Sequence, residues 1–197
     1  MSGIDHSTSL LEIAALVSQA LDAAGIVAVL SGGAAVSLYG ENEYESVDLD
    51  FITSARNADI AKAVEPLGFR YSEGKRDLVH ASSEFTIEFP PGPLAFGNTY
   101  VGEQTTAIVE TEFGPLRVIT PTQSVMDRLA HYVSWHDNQA FDQAVMVAKR
   151  CRIDWDEIER WVEQEGAPIE ILQRLRLRAY RADWGRAPEP VDANGPP

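Results

Sequence analysis

The feature that most constrains this chain is a pair of neighbouring segments, "IVAVLSGG" (26–33) and "SVDLDFIT" (46–53). The first is a short apolar run that stops at two glycines, which suits a strand buried on both faces followed by a tight turn. The second alternates. Val47, Leu49 and Phe51 fall on one face, and Asp48, Asp50 and Ile52 on the other. Residues i and i+2 of a strand lie about 6.6 Å apart and point the same way, so Asp48 and Asp50 present two carboxylates side by side. Such a pair repels itself unless a cation sits between the two groups. Mg²⁺ is commonly held by one or two carboxylates, with substrate phosphates and waters completing its shell. Gly32 and Gly33, ending a strand ahead of a short helix at 34–39, let backbone N–H groups approach a phosphate closely. Phosphates on the first turn and a metal on the next strand give the layout of phosphoryl or nucleotidyl transfer. Alone, a Gly-Gly is a turn and an Asp-x-Asp is a solvated strand face. The two in this order, separated by a helix-length segment, favour the functional reading.

The remaining periodicities place these segments in a fold. Residues 9–24 read as a helix, with Ser9 and Glu12 in the form of a capping box and Gly25 as its stop. Residues 57–68 read as a second helix ending near Pro66. Strands are expected at "FRYS", "DLVHA", "FTIEF", "TAIVET" and "LRVIT", with a turn at "EFGPL" between the last two. From Thr120 onward the pattern is helical, starting with a Thr cap and Pro121 at the first helical position. The order α-β-α-β-α, then strands, then helices, predicts a mixed α/β (α+β) domain over 1–120 and a helical region over 121–185. The last residues, 186–197, are rich in Pro and polar groups and read as a disordered, dispensable tail.

Composition narrows the function classes. With 197 residues and a net charge of −14, the chain can bury a core and is repelled by polyphosphate at long range. That argues against non-specific DNA binding, while a nucleotide bound through metal remains compatible. A single cysteine, Cys151, allows no internal disulfide. No apolar run is long enough for a membrane span, and "MSGIDHSTSLLEI" lacks the basic start and apolar stretch of a signal peptide. These point to a cytoplasmic protein. The four histidines form no metal motif, and Cys151 reads as a packing thiol. The Arg174–Arg181 cluster reads as a solvated helix face, or else as a docking patch for RNA or a protein partner.

"SGGAAVSLYG…SVDLDF" resembles the signature of the polymerase-β-like nucleotidyltransferase superfamily, and most closely its AbiEii-type branch, whose members occur as toxins in toxin–antitoxin systems. The resemblance implies a mixed sheet flanked by helices, with a C-terminal helical part. It also implies chemistry dependent on Mg²⁺ (or Mn²⁺), with an NTP as donor. By the resemblance, Ser31, Gly32 and Gly33 match the phosphate-cradling turn, and Asp48 and Asp50 match the metal ligands. Glu88 in "FTIEFP" is the candidate third carboxylate, helping to activate an acceptor hydroxyl. Arg128 in "TPTQSVMDRLA" stands at about the position of a lysine and is the candidate phosphate contact. Asp142 lies near a later Asp of the branch and reads as a structural or surface residue. The acceptor would be a tRNA end, a protein hydroxyl or a small molecule, with an antitoxin protein as partner. The alternative is a nucleotidyltransferase-like binding module without turnover.

Overall fold

The computed structural model describes residues 3–41, 43–73 and 76–180. The expectation of a dispensable tail at 186–197 falls outside them. Among the described residues, no helix is long and apolar enough to cross a membrane.

Helix α1 (Leu10–Ala23) begins where Ser9 accepts a hydrogen bond from the Glu12 N–H (3.2 Å), and it buries Ile13, Ala14, Val17 and Leu21. It ends before Gly25, which takes the left-handed conformation that the exit requires (φ 72°). Strand β1 (Val29–Ser31) is wholly buried, as its uninterrupted apolar run predicts. It passes directly into α2 (Gly32–Tyr39), and β2 (Asp48–Ile52) follows. Val47, expected on the buried face beside Leu49 and Phe51, is 64% exposed because the strand starts one residue after it. Helix α3 (Asn57–Val64) runs into a 3₁₀ turn at Glu65–Leu67, where Pro66 sits.

The expected strands then appear, several of them shorter than their apolar runs: β3 (Arg70–Tyr71), β4 (Leu78–Val79) and β5 (Thr86–Glu88). A small hairpin that the apolar pattern does not announce, β6 (Ala95–Phe96) and β7 (Thr99–Tyr100), turns at Gly97-Asn98. Strands β8 (Ala107–Thr111) and β9 (Gly114–Val118) form the expected hairpin.

Seven strands make one mixed sheet in the order β3-β4-β5-β2-β1-β9-β8. Two pairings position the candidate site residues. β1 and β2 are antiparallel, with Ser31 opposite Asp50, and β2 and β5 are parallel, with Asp50 opposite Glu88. The central positions Leu30, Leu49, Phe51, Ile87, Leu116 and Val118 are buried. Burial of each such side chain stabilises the fold by about 1.5–3 kcal/mol before conformational entropy is set against it.

Four helices complete the described residues: α4 (Pro121–Trp135), α5 (Asn138–Arg150), α6 (Trp155–Glu165) and α7 (Ile169–Tyr180). A complete capping box starts α4. The Thr120 Oγ1 accepts from the Gln123 N–H (3.2 Å), and the Gln123 Oε1 accepts from the Thr120 N–H (2.9 Å). Helix α2 packs on β2 and against α4 and α5, and a single apolar core runs from the sheet into these helices. That packing brings the middle of α4 to the C-terminal end of β1.

Candidate active site

The site grows from the turn between β1 and α2. Gly32 has φ 65°, a left-handed conformation that costs a residue with a side chain roughly 1–2 kcal/mol. It also lies against Asp50. A Cβ at Gly32 would run into the Asp50 carboxylate oxygen, with Cγ at 3.2 Å and Cβ at 3.4 Å. Gly33 is constrained differently. Its φ is not left-handed, and a Cβ there would meet the Ser46 Oγ at 2.8 Å and the Tyr44 hydroxyl at 3.1 Å. By sequence, Gly32 and Gly33 share one role, the close approach of backbone to a phosphate. The structure gives the positive φ and the contact with the aspartate to Gly32.

A short network fixes this turn relative to β2. The Ser37 Oγ donates to the Gly33 carbonyl (3.2 Å), and the Ser46 N–H donates to the Ser37 Oγ (3.0 Å). The Ser46 Oγ in turn donates to the Asp48 carbonyl (3.0 Å). Ser31, Ser37 and Ser46 are all buried. The serines thus tie the start of α2 to the first residue of the carboxylate strand.

Asp48 and Asp50 line a cavity of about 430 Å³. Its other walls are the Ser31-Gly32-Gly33 turn, Tyr44 and Ser46, the loop Pro90 to Ala95, and Asp127, Arg128 and His131 of α4. Six of the seven expected site residues therefore meet at one opening. The seventh, Glu88, does not line the cavity and is exposed on β5, directly opposite Asp50.

Burial raises the Asp50 pKa to about 6, with smaller contributions from the charges of Glu88, Asp48 and Asp127 that Arg128 partly offsets. No hydrogen-bond donor among the described residues lowers it. A half-buried carboxylate with no donor and three acidic neighbours is unfavourable as it stands, and a bound cation removes that cost. The donor set is all oxygen, as hard cations such as Mg²⁺ or Mn²⁺ require. Among the described residues, no group of three or more His, Cys, Asp or Glu side chains forms a complete metal cage. The arrangement suits Mg²⁺ held by Asp48 and Asp50, with its remaining positions left to phosphate and water.

Arg128 is at the cavity but already engaged. Its Nε and Nη2 donate to the Asp127 Oδ2 (3.0 and 2.6 Å), and its Nη1 donates to the Gln143 Oε1 (3.3 Å). Both members of the ion pair are buried. Asp127 escaped the sequence reading, although it sits within nine consecutive buried residues of α4, Thr122 to Ala130. An acidic residue inside such a stretch must be paired or functional. His131, one turn after Arg128, also went unassigned. Asp142 is a surface residue, as expected, and accepts from the Arg178 Nη1 at 2.6 Å.

No protein-family model and no curated protein matches the chain. Among solved structures, it is similar to an antigenic nucleotidyltransferase-like protein from Paracoccidioides brasiliensis. The identity is 13% and the TM-score 0.57, over 86% of this chain and 94% of that one. Weaker likenesses, both at TM-score 0.48, are to the antibiotic-resistance factor ANT(2'')-Ia. One is its solution structure (14% identity, 85% and 88% of the two chains), the other its complex with adenylyl-2''-tobramycin (15%, 82% and 94%). The sheet order, the turn after β1 and the strand carrying Asp48 and Asp50 thus belong to a chain with the nucleotidyltransferase-like fold.

Proposed function

We propose that this protein is a metal-dependent nucleotidyltransferase, moving a nucleotidyl group from a nucleoside triphosphate to a hydroxyl-bearing acceptor. The observation that carries the proposal is the position of Asp50. Its carboxylate has acidic neighbours and no donor, lies against the Gly32 backbone, and faces a cavity of nucleotide size. A divalent cation at Asp48 and Asp50 would neutralise charge on the triphosphate and polarise its α-phosphate. The Ser31-Gly32-Gly33 turn offers backbone N–H groups at the start of α2, where the helix dipole favours an anion. Among the described residues Arg128 is the one lysine or arginine in the cavity wall, and its guanidinium has N–H donors beyond those used on Asp127 and Gln143 to offer a phosphate. In the reaction, the acceptor oxygen attacks the α-phosphorus and the bond to the β-phosphate breaks. Pyrophosphate leaves with that electron pair, and the hydroxyl proton passes to the Asp50 carboxylate at the cavity.

Support for an AbiEii-type toxin role, with an antitoxin as partner, is confined to the sequence resemblance at 31–51. Co-expression with the product of a neighbouring gene, scored by growth, tests it.

The transfer reading is tested by thermal melting and turnover together. Mg²⁺ or Mn²⁺ with each NTP should raise the melting temperature, by the equivalent of about 2.7 kcal/mol at 100 times Kd. Cell extract as the source of acceptor should give pyrophosphate release that Asp48→Ala abolishes. A melting shift unchanged in the Asp48→Asn/Asp50→Asn protein sinks the metal assignment. A normal shift without pyrophosphate release selects the binding module instead.

A further inference from the structure

Tyr44 lines the candidate active site without taking part in the hydrogen bonds that build it. Its ring presents an edge to the glycine turn. A Cβ at Gly33 would meet the Tyr44 hydroxyl at 3.1 Å and its Cε1 at 3.3 Å. Among the described residues that hydroxyl has no hydrogen-bond partner. The serine hydroxyls beside it are committed, Ser37 to the Gly33 carbonyl and the Ser46 N–H, and Ser46 to the Asp48 carbonyl. The hydroxyl of a half-buried tyrosine ordinarily finds a partner.

The loop between α2 and β2 holds Tyr44 from both sides. On the upstream side, Arg150 of α5 forms ion pairs with Glu43 and with Glu41 (3.8 Å). On the downstream side, the Ser46 N–H donates to the Ser37 Oγ (3.0 Å), and the Tyr44 ring packs against the apolar core. A hydroxyl held in this way loses little freedom when a ligand meets it.

The start of α2 supplies matching donors. Its N-cap, Ser31, makes no side-chain hydrogen bond to the helix, so the N–H groups of the first turn have no capping acceptor. Uncommitted backbone donors and an uncommitted hydroxyl thus stand at one turn. Together they suit a ligand with several acceptor oxygens. Asp48 and Asp50 in the same wall repel an anion. A neutral donor offsets that repulsion through a charge-assisted hydrogen bond and buries no further charge of its own.

We propose that Tyr44 is a phosphate-binding residue of this site, its hydroxyl donating to an oxygen of the donor triphosphate beside the Gly32-Gly33 turn. The role rests on the nucleotidyl-transfer reading.

Tyr44→Phe removes the hydroxyl and keeps the ring. The full-length wild type and variant are titrated by calorimetry in excess Mg²⁺ with two probes: inorganic tripolyphosphate, and the nucleoside triphosphate that gives wild type its largest melting shift. The variant should bind both more weakly by the same factor, about tenfold or more, as for the loss of one hydrogen bond to a charged group. Its melting temperature without ligand should be unchanged, because the hydroxyl has no partner to lose. Unaltered affinity for both probes overturns this proposal alone. A loss confined to the nucleotide places Tyr44 at the nucleoside and overturns the phosphate contact. A lower ligand-free melting temperature shows a structural hydroxyl and does the same. If wild type binds neither probe, this proposal and the transfer reading fall together.

Discussion

The backbone of Gly32 and the carboxylate of Asp50 occupy adjoining space so closely that no side chain can be added to the first without moving the second. Gly32→Ala should cost the protein at least about 1–2 kcal/mol from its left-handed φ alone, and more from displacing Asp50. In an Asp50→Ala background only the backbone cost remains, since the nearest surviving atom, Cβ, is at an ordinary 3.4 Å. A double-mutant cycle in urea should therefore show a coupling of the order of 1 kcal/mol. Simple additivity would mean that the turn and the carboxylate are not packed against one another in solution.

Asp50 also sets a pH dependence in metal-free buffer. Its folded pKa, about 6, lies above the ordinary 3.8, so between these values the folded state holds more protons than the unfolded chain. The stability this group gives is fully present below about pH 4 and is lost as the pH rises through 6. Asp50→Asn removes that loss. With chelator present, the variant should be more stable than wild type by about 1–3 kcal/mol at pH 7.5, and the gain should vanish near pH 3.5. Melting temperatures at the two pH values measure it, at roughly 2–4 °C per kcal/mol for a chain of this size. A variant less stable than wild type at pH 7.5 would contradict the electrostatic account of the site.

The Asp127–Arg128 pair gives a third expectation. Both groups are buried, and each is the other's counter-charge. Arg128→Met leaves the Asp127 carboxylate unpaired and should cost about 3 kcal/mol or more. Asp127→Asn/Arg128→Met removes both charges and should cost less than Arg128→Met alone. Urea unfolding of the three proteins decides the order. If the double variant is the least stable, the pair is a net source of stability rather than a mutually compensated charge.

Cys151 should be inert. Burial first, and then Glu41, push its pKa up to about 11 against a small opposing effect of Arg150, and its Sγ lies 3.8 Å from the Tyr39 carbonyl. The thiolate is the reactive form. A chromogenic disulfide reagent at pH 8 should therefore label the native protein far more slowly than the protein in urea. Equal rates would place Cys151 at an open surface.

Local pattern was sufficient for most of the elements, the hairpin at 95–100 excepted, and for half of the site. The 3.6-residue period and the Ser9 and Thr120 caps gave α1 and the start of α4 to within a residue. The two-residue period put Asp48 and Asp50 on one face, because alternation is a property of the strand itself. Contacts between elements are a different matter, since they depend on which strand pairs with which and on the angle at which helices cross. The parallel pairing of β2 with β5 sets Glu88 opposite Asp50, and it joins segments nearly forty residues apart in the chain. The packing of α2 against α4 brings Asp127, Arg128 and His131 to the Gly32 turn, and Trp161 of α6 holds the hairpin at 95–100 in place. Asp127 could not be recognised by periodicity, because nearly the whole of the first three turns of α4 is buried and no polar face marks it out. The sequence by itself determined which residues could form a carboxylate strand after a glycine turn. The tertiary structure decided which of them share a cavity, because burial and electrostatic coupling depend on distance through space and not along the chain.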